Sequence, residues 1–189
     1  PGAGIDPADR GLQYGDGLFE TITRRAGRAP LLALHLARVR RDAARLGIPS
    51  GADGALEAAL APHLDEPADG IVKLVLTRGP GGRGYRPPPT PRGQLYLSVH
   101  PPAPAPPLQE GGLSVRLCRT RLGNSPALAG MKHLNRLEQV IASAELGPGE
   151  AEGLMCDVDD RLVEGTRMNL FLVCDGVLVT PALDRAGVA

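Results

Sequence analysis

Lys132 follows the run Leu128-Ala129-Gly130-Met131 and precedes Leu134, Leu137, Ile141 and Ala144, which recur at the three-to-four spacing of an amphipathic helix. The spacing predicts a helix with Lys132 in its first turn. Free amides and the helix dipole favour negative charge there, so the same field eases proton loss from a lysine amine. The unprotonated amine is the form that attacks a carbonyl. A lysine whose stem snorkels along an ordinary packed helix accounts for the same residues. Glu164 lies between Val163 and Gly165 in a β-favouring stretch, where a carboxylate is desolvated unless a basic group meets it or the stretch is a surface turn. Arg78, Arg83 and Tyr85 share the glycine-rich run Arg78-Gly79-Pro80-Gly81-Gly82-Arg83-Gly84-Tyr85. A guanidinium fork there suits a carboxylated ligand, although a surface loop explains the composition too. Arg38, Arg40, Arg41 and Arg45 form either an anion site or the charged face of a helix. Neither a dinucleotide fingerprint nor a phosphate-loop lysine signature is present.

The elements that must position these groups are readable in outline. Residues 1–17 are rich in Gly, Pro and Asp and read as irregular, ending in the polar elbow Tyr14-Gly15-Asp16-Gly17, whose glycines permit close backbone approach. Residues 18–23 read as a strand turned back at Gly27. Leu36, Val39, Ala43 and Leu46 make one stripe of a helix over 34–46, which Gly47 and Pro49 end. A second helix is expected over 55–64, and strands over 71–77 and 95–99, the first too continuously apolar for a half-exposed edge. A strand over 113–118 leads into a polar, turn-like stretch to Pro126. Beyond the lysine helix, short strands around 154–155, 162–163, 168–173 and 177–179 suggest a mixed or barrel-like sheet turned at 157–160 and 175–176. The expected organisation is an α/β domain over residues 1–100, a proline-rich linker over 101–112 and a mixed domain over 113–189.

Composition sets the bounds. The 21 basic and 21 acidic residues cancel, so no net charge draws the chain to nucleic acid or an anionic membrane. Cys118, Cys156 and Cys174 are odd in number and widely separated, without metal-ligand spacing, which favours a reducing cytoplasm. No run approaches the roughly 18 apolar residues of a membrane span.

Taken together and in order, five segments strongly resemble the pyridoxal-phosphate enzymes of fold type IV, and within them the aminodeoxychorismate lyases. They are Tyr14-Gly15-Asp16-Gly17-Leu18-Phe19-Glu20-Thr21, His35-Leu36-Ala37-Arg38-Val39, residues 77–85, Lys132-His133-Leu134-Asn135-Arg136-Leu137-Glu138-Gln139, and Glu164-Gly165-Thr166-Arg167-Met168-Asn169-Leu170-Phe171. The resemblance spans about residues 6–188. It implies an α+β, two-domain fold, a homodimer, and pyridoxal 5'-phosphate held covalently by Lys132, which also shuttles protons. It further implies that Glu164 pairs with the ring nitrogen, that Arg38 meets the phosphate, and that Thr166 and Asn169 lie on the cofactor side. Tyr14, Arg83 and Tyr85 would face a small-molecule substrate, and Glu20 would support the pocket. The implied reaction takes 4-amino-4-deoxychorismate to 4-aminobenzoate and pyruvate in folate biosynthesis. A branched-chain or D-amino-acid aminotransferase of the same fold, or a non-catalytic binding protein that keeps the fold, are the alternatives. Arg167 and Met168 depart from the smaller or hydroxylated residues of the pattern. The family also continues past a run like residues 180–188 with a further part of its second domain, so an incomplete second domain is expected.

Overall fold

The computed structural model describes residues 4–102 and 111–189. Its first element is a short helix, α1 (Arg10–Tyr14), where composition suggests only irregular chain. The Asp9 carboxylate caps it by accepting the Gly11 amide at 2.7 Å, and Gly15, at φ 67°, closes it in the left-handed conformation. A helix of one turn has no apolar period to read, which is why the sequence pattern passes over it.

Strand β1 (Gly17–Arg24), helices α2 (Leu32–Leu46) and α3 (Ala55–Leu64), and strands β2 (Gly70–Thr77) and β3 (Gln94–His100) follow. The strands form an antiparallel sheet in the order β1-β2-β3, with Leu18 opposite Leu76 and Leu74 opposite Leu97. The apolar run of β2 suits its central place. Leu18 and Ile22 of β1 pack with Leu36, Val39 and Ala43 of α2 and with Leu56 and Leu60 of α3. The pleat puts Glu20 and Arg24 on the same buried face as Leu18 and Ile22. Both charges are met: Arg24 donates to the carbonyls of His63 and Ala68 and pairs with Glu66, and Glu20 has the partners described below. The turn at Gly27 makes a single bridge between Arg25 and Arg28, so the long partner of β1 is β2.

The remaining elements are β4 (Val115–Leu122), α4 (Leu137–Ser143), β5 (Glu152–Asp157), β6 (Leu162–Gly165), β7 (Leu172–Cys174) and β8 (Val177–Val179). β4 and β5 are parallel, joined through α4, and β6 adds antiparallel to β5. β4 extends through a stretch that its polar residues mark as a turn. Glu145 supports it there, accepting from the Thr120 hydroxyl at 2.6 Å and from the amides of Arg119 and Thr120 at 2.8 and 2.9 Å. These bonds, the hydroxyl's first, hold the Glu145 carboxyl down at about 2. β7 and β8 form a separate hairpin turned at Asp175-Gly176, shorter than the 168–173 pattern suggests, beside the mixed sheet of β4, β5 and β6. Cys118, Leu122, Ala142, Met155, Val163 and Ala186 make a second core.

The chain divides into two compact units, one holding α1 to β3 together with Lys132–Asn135, the other holding β4 to β8 with α4. Most of the proline-rich stretch expected as a linker, residues 103–110, lies outside the described residues. No described helix is long and apolar enough to cross a membrane.

One expectation is overturned. Lys132 is not in a helix: α4 begins at Leu137, and His133 makes an isolated antiparallel bridge with Leu18 at the outer edge of β1. The Phe19 amide donates to the Lys132 carbonyl at 2.9 Å and the Leu134 amide to the Gly17 carbonyl at 3.0 Å. The open strand edge supplies partners for those backbone groups, and this outweighs the 3.6-residue period. The period itself marks the wrong face, since Leu137 and Ile141 are exposed while Gln139 and Ala142 are buried. No first-turn dipole therefore acts on Lys132.

Candidate active site

In the first unit, pairing with β1 sets the place of Lys132. Its side chain is half-buried, with Nζ 4.6 Å from the centre of the Phe19 ring, a separation at which the ring's negative face attracts a cation. The elbow glycines make this approach possible. A Cβ on Gly15 would lie 2.3 Å from Asn135 Oδ1, and one on Gly17 would lie 2.6 Å from the Leu76 carbonyl oxygen. Asn135 Nδ2 donates to the Gly15 carbonyl at 3.2 Å, tying the lysine segment to the elbow. The close approach those glycines permit is to the chain itself.

Arg38, on α2, is gripped by Glu20 of β1. Nε donates to Oε1 at 2.5 Å and Nη2 to Oε2 at 2.6 Å, the bidentate geometry of a strong charge-assisted pair. His35 Nδ1 lies 2.8 Å from Glu20 Oε2. Burial pushes the Glu20 carboxyl up, but the hydrogen bonds from Arg38 and His35 outweigh it and hold the group below its ordinary value. The Glu20 bonds in turn hold the Arg38 guanidinium above its ordinary value. The result is a permanently charged guanidinium whose plane is fixed by one edge. His35 is part of this arrangement, and nothing in the sequence separates it from a surface histidine one turn before an arginine.

Asp16, in the elbow, organises a second group. It accepts from Arg78 Nε at 2.7 Å and Nη2 at 3.0 Å, and from Arg10 Nε at 2.9 Å. Burial raises its carboxyl, and the bonds from Arg78 and then Arg10 bring it below its ordinary value. Arg78 therefore is not a ligand-gripping arginine of the glycine-rich loop. It is buried, and also donates to the carbonyls of Leu46 and Gly47, both at 2.8 Å, at the end of α2. Tyr14 and Tyr85 meet edge to face with ring centres 5.4 Å apart, and Tyr85 and Arg83 are exposed.

In the second unit Glu164 is 5% exposed. Its two oxygens accept from uncharged donors, Gln139 Nε2 to Oε1 at 3.0 Å and the Val188 amide to Oε2 at 2.8 Å. Gln139 Oε1 is buried without a hydrogen-bond partner. Burial pushes the neighbouring Arg136 guanidinium down, against the attraction of Glu164 and Glu138. Asn169 is exposed and donates to the Val188 carbonyl at 3.5 Å, so one residue holds both Glu164 and Asn169. The Thr166 hydroxyl donates to Glu152 Oε1, which also takes the Thr166 amide at 3.0 Å. Glu152 and Arg10 carry no sequence signal that sets them apart, and Gln139 enters as the last residue of the lysine motif without a role of its own. Among the described residues no group of acidic, histidine and cysteine side chains has the makings of a metal site.

Residues 17–189 match the family model described as amino-transferase class IV. The chain is 38% identical, over its whole length and 70% of the relative's, to the aminodeoxychorismate lyase of Vibrio harveyi. It is 29% identical to the D-alanine aminotransferase of Bacillus licheniformis, across 93% of this chain and 62% of that one. The crystal structure of 4-amino-4-deoxychorismate lyase from Pseudomonas aeruginosa superposes with a TM-score of 0.92 at 50% identity, covering all of this chain and 70% of that one.

Proposed function

The chain belongs to the class IV aminotransferase family, with the α+β architecture of the fold type IV pyridoxal-phosphate enzymes, and we propose that it is an aminodeoxychorismate lyase, converting 4-amino-4-deoxychorismate to 4-aminobenzoate and pyruvate. The observation that carries the reading is the likeness to the Pseudomonas aeruginosa lyase, at 50% identity, which far exceeds the likeness to the aminotransferase.

The residues present fit pyridoxal 5'-phosphate. Among the described residues the buried carboxylate of Glu164 accepts from two uncharged donors and keeps acceptor capacity for a cation, and a buried orphan carbonyl, Gln139 Oε1, lies beside it. That donor set suits a protonated ring nitrogen. When bound, the pyridoxal ring withdraws electrons from the substrate carbon that loses a proton. In this reading Glu164 keeps the ring nitrogen protonated, and Arg38, its plane set by Glu20, neutralises phosphate charge. Thr166 and Asn169 line the cofactor side, and Tyr14, Arg83 and Tyr85 receive the substrate. Lys132 holds the cofactor through Nζ, takes the proton from the carbon that bears the amine, and returns a proton as pyruvate leaves. Loss of the enolpyruvyl group makes the ring aromatic, which drives the cleavage. A homodimer and a cytoplasmic location belong to the same proposal. The second rests on three widely separated cysteines without ligand spacing.

Supplying the purified protein and pyridoxal phosphate with 4-amino-4-deoxychorismate, and following 4-aminobenzoate and pyruvate beside keto-acid-dependent glutamate formation, tests the reading. Aromatic product without transamination is expected. Transamination with no aromatic product would sink the lyase and leave the aminotransferase.

A further inference from the structure

The glycine-rich loop after β2 is held in two different ways. Its base is tied by backbone: the Arg10 amide donates to the Gly79 carbonyl at 3.1 Å and the Gly81 amide to the Ala8 carbonyl at 3.4 Å. Among the described residues one side chain supplies the hydrogen bonds to its tip. Arg10 Nη1 donates to the Gly84 carbonyl at 2.9 Å and Nη2 to the Tyr85 carbonyl at 2.8 Å, although Arg10 is 3% exposed and Gly82 to Arg86 are all exposed. The same guanidinium carbon lies 4.9 Å from the centre of the Tyr14 ring. Arg10 is fixed through Asp16 and Arg78 to the end of α2, so a rigid relay runs from that helix to the loop tip.

We infer that Arg10 is a positioning residue that sets the Tyr14–Tyr85 pair and presents Arg83 beside it, fixing the face that receives a carboxylated ring. The identity of that ring rests on the lyase reading above. Only arginine fills the role: it needs a donor for Asp16 and two parallel donors for consecutive carbonyls, which a planar fork supplies and a lysine ammonium does not. Arg10's two outer nitrogens both bond carbonyls of the tip, whose order sets binding of the substrate ring, and neither bonds the segment that carries Lys132. Arg10 therefore acts on KM more than on kcat.

The test compares the cofactor-loaded wild type with Arg10→Gln, Arg10→Lys and Gly81→Ala. The last would bring a Cβ within 2.6 Å of Arg10 Cδ while leaving its charge in place. Limited trypsin digestion read by mass spectrometry reports cleavage at Arg83–Gly84, and steady-state kinetics report KM and kcat for 4-amino-4-deoxychorismate. Expected in Arg10→Gln and Arg10→Lys are about tenfold faster cleavage at that bond and about tenfold higher KM, with kcat within about twofold, since a small misplacement of a binding group has effects of this order. Gly81→Ala should move both in the same direction. Unchanged cleavage, raised cleavage with unchanged KM, or acceleration at every tryptic site alike would each overturn the inference. If Arg10→Gln fails to fold, Arg10→Lys and Gly81→Ala decide it. The proteolysis does not depend on the substrate, so a wild type without lyase activity would fail the functional reading while the tether is still read.

Discussion

Gln139 and Glu164 face each other inside the second unit, with the glutamine amide 3.0 Å from one carboxylate oxygen and its own carbonyl left without a partner. The pair is lopsided: the glutamine orients the carboxylate without neutralising it, and the charge nearby is the Arg136 guanidinium. Gln139→Leu keeps the volume and removes the donor. It is expected to destabilise the fold by about 1–3 kcal/mol, the cost of a buried acceptor losing a partner. It should also weaken pyridoxal phosphate binding about tenfold. Urea unfolding and an absorbance titration with the cofactor check the two effects.

The Glu20–Arg38 pair predicts an acid dependence whose sign is fixed. The folded Glu20 carboxyl lies below its ordinary value, so the pair contributes stability above the ordinary carboxylate range and loses it as pH falls through the folded value. Glu20→Gln removes a charge-assisted bidentate bond and is expected to cost roughly 2 kcal/mol or more at neutral pH. The gap between wild type and variant should close on acidification. Urea midpoints measured from neutral pH down to pH ~3, below the ordinary carboxylate range, test this, and a gap that widens in acid would refute it.

How far these groups are readable beforehand differs from element to element. The stripe Leu36, Val39, Ala43 and Leu46 announces α2 because one whole face of that helix meets a sheet, and the run from Ile71 to Leu76 announces β2 because both its neighbours are strands. The same reasoning misplaces Lys132. Leu134, Leu137 and Ile141 keep helical spacing, but Leu134 lies in a bend whose amide bonds to β1 and the other two face outward on α4. A strand edge made by residues more than a hundred positions earlier leaves no local trace. The ordered motifs carry Lys132, Arg38 and Glu164 as a set. Of their supports, His35 and Gln139 sit inside two of those motifs with no role of their own to read, and Arg10 looks like an ordinary surface residue until tertiary structure buries it.

Gly187 controls the second donor to Glu164. It has φ 87°, and an added Cβ would lie 2.7 Å from Leu183 Cδ2, 2.8 Å from Val163 Cγ1 and 3.4 Å from Glu164 Oε2. Gly187→Ala must therefore shift the backbone that carries the Val188 amide. A loss of about 1–3 kcal/mol is expected from the strained φ and the overpacking together, with weaker cofactor binding than the stability loss alone would give. Denaturation and cofactor titration of the same variant separate the two. Unchanged affinity would mean that Gln139 alone suffices to orient the carboxylate.

Lys132→Arg isolates chemistry from structure. The Phe19 amide still finds the residue-132 carbonyl, and a guanidinium still lies over the Phe19 ring, so the fold is expected to hold within about 1 kcal/mol. Arginine stays protonated and cannot form the covalent link or take a proton at neutral pH. Lyase turnover should then fall below detection, and the absorbance of covalently held cofactor should vanish while urea unfolding stays near wild type. Turnover surviving in this variant would remove Lys132 from the chemistry, whatever its place beside β1.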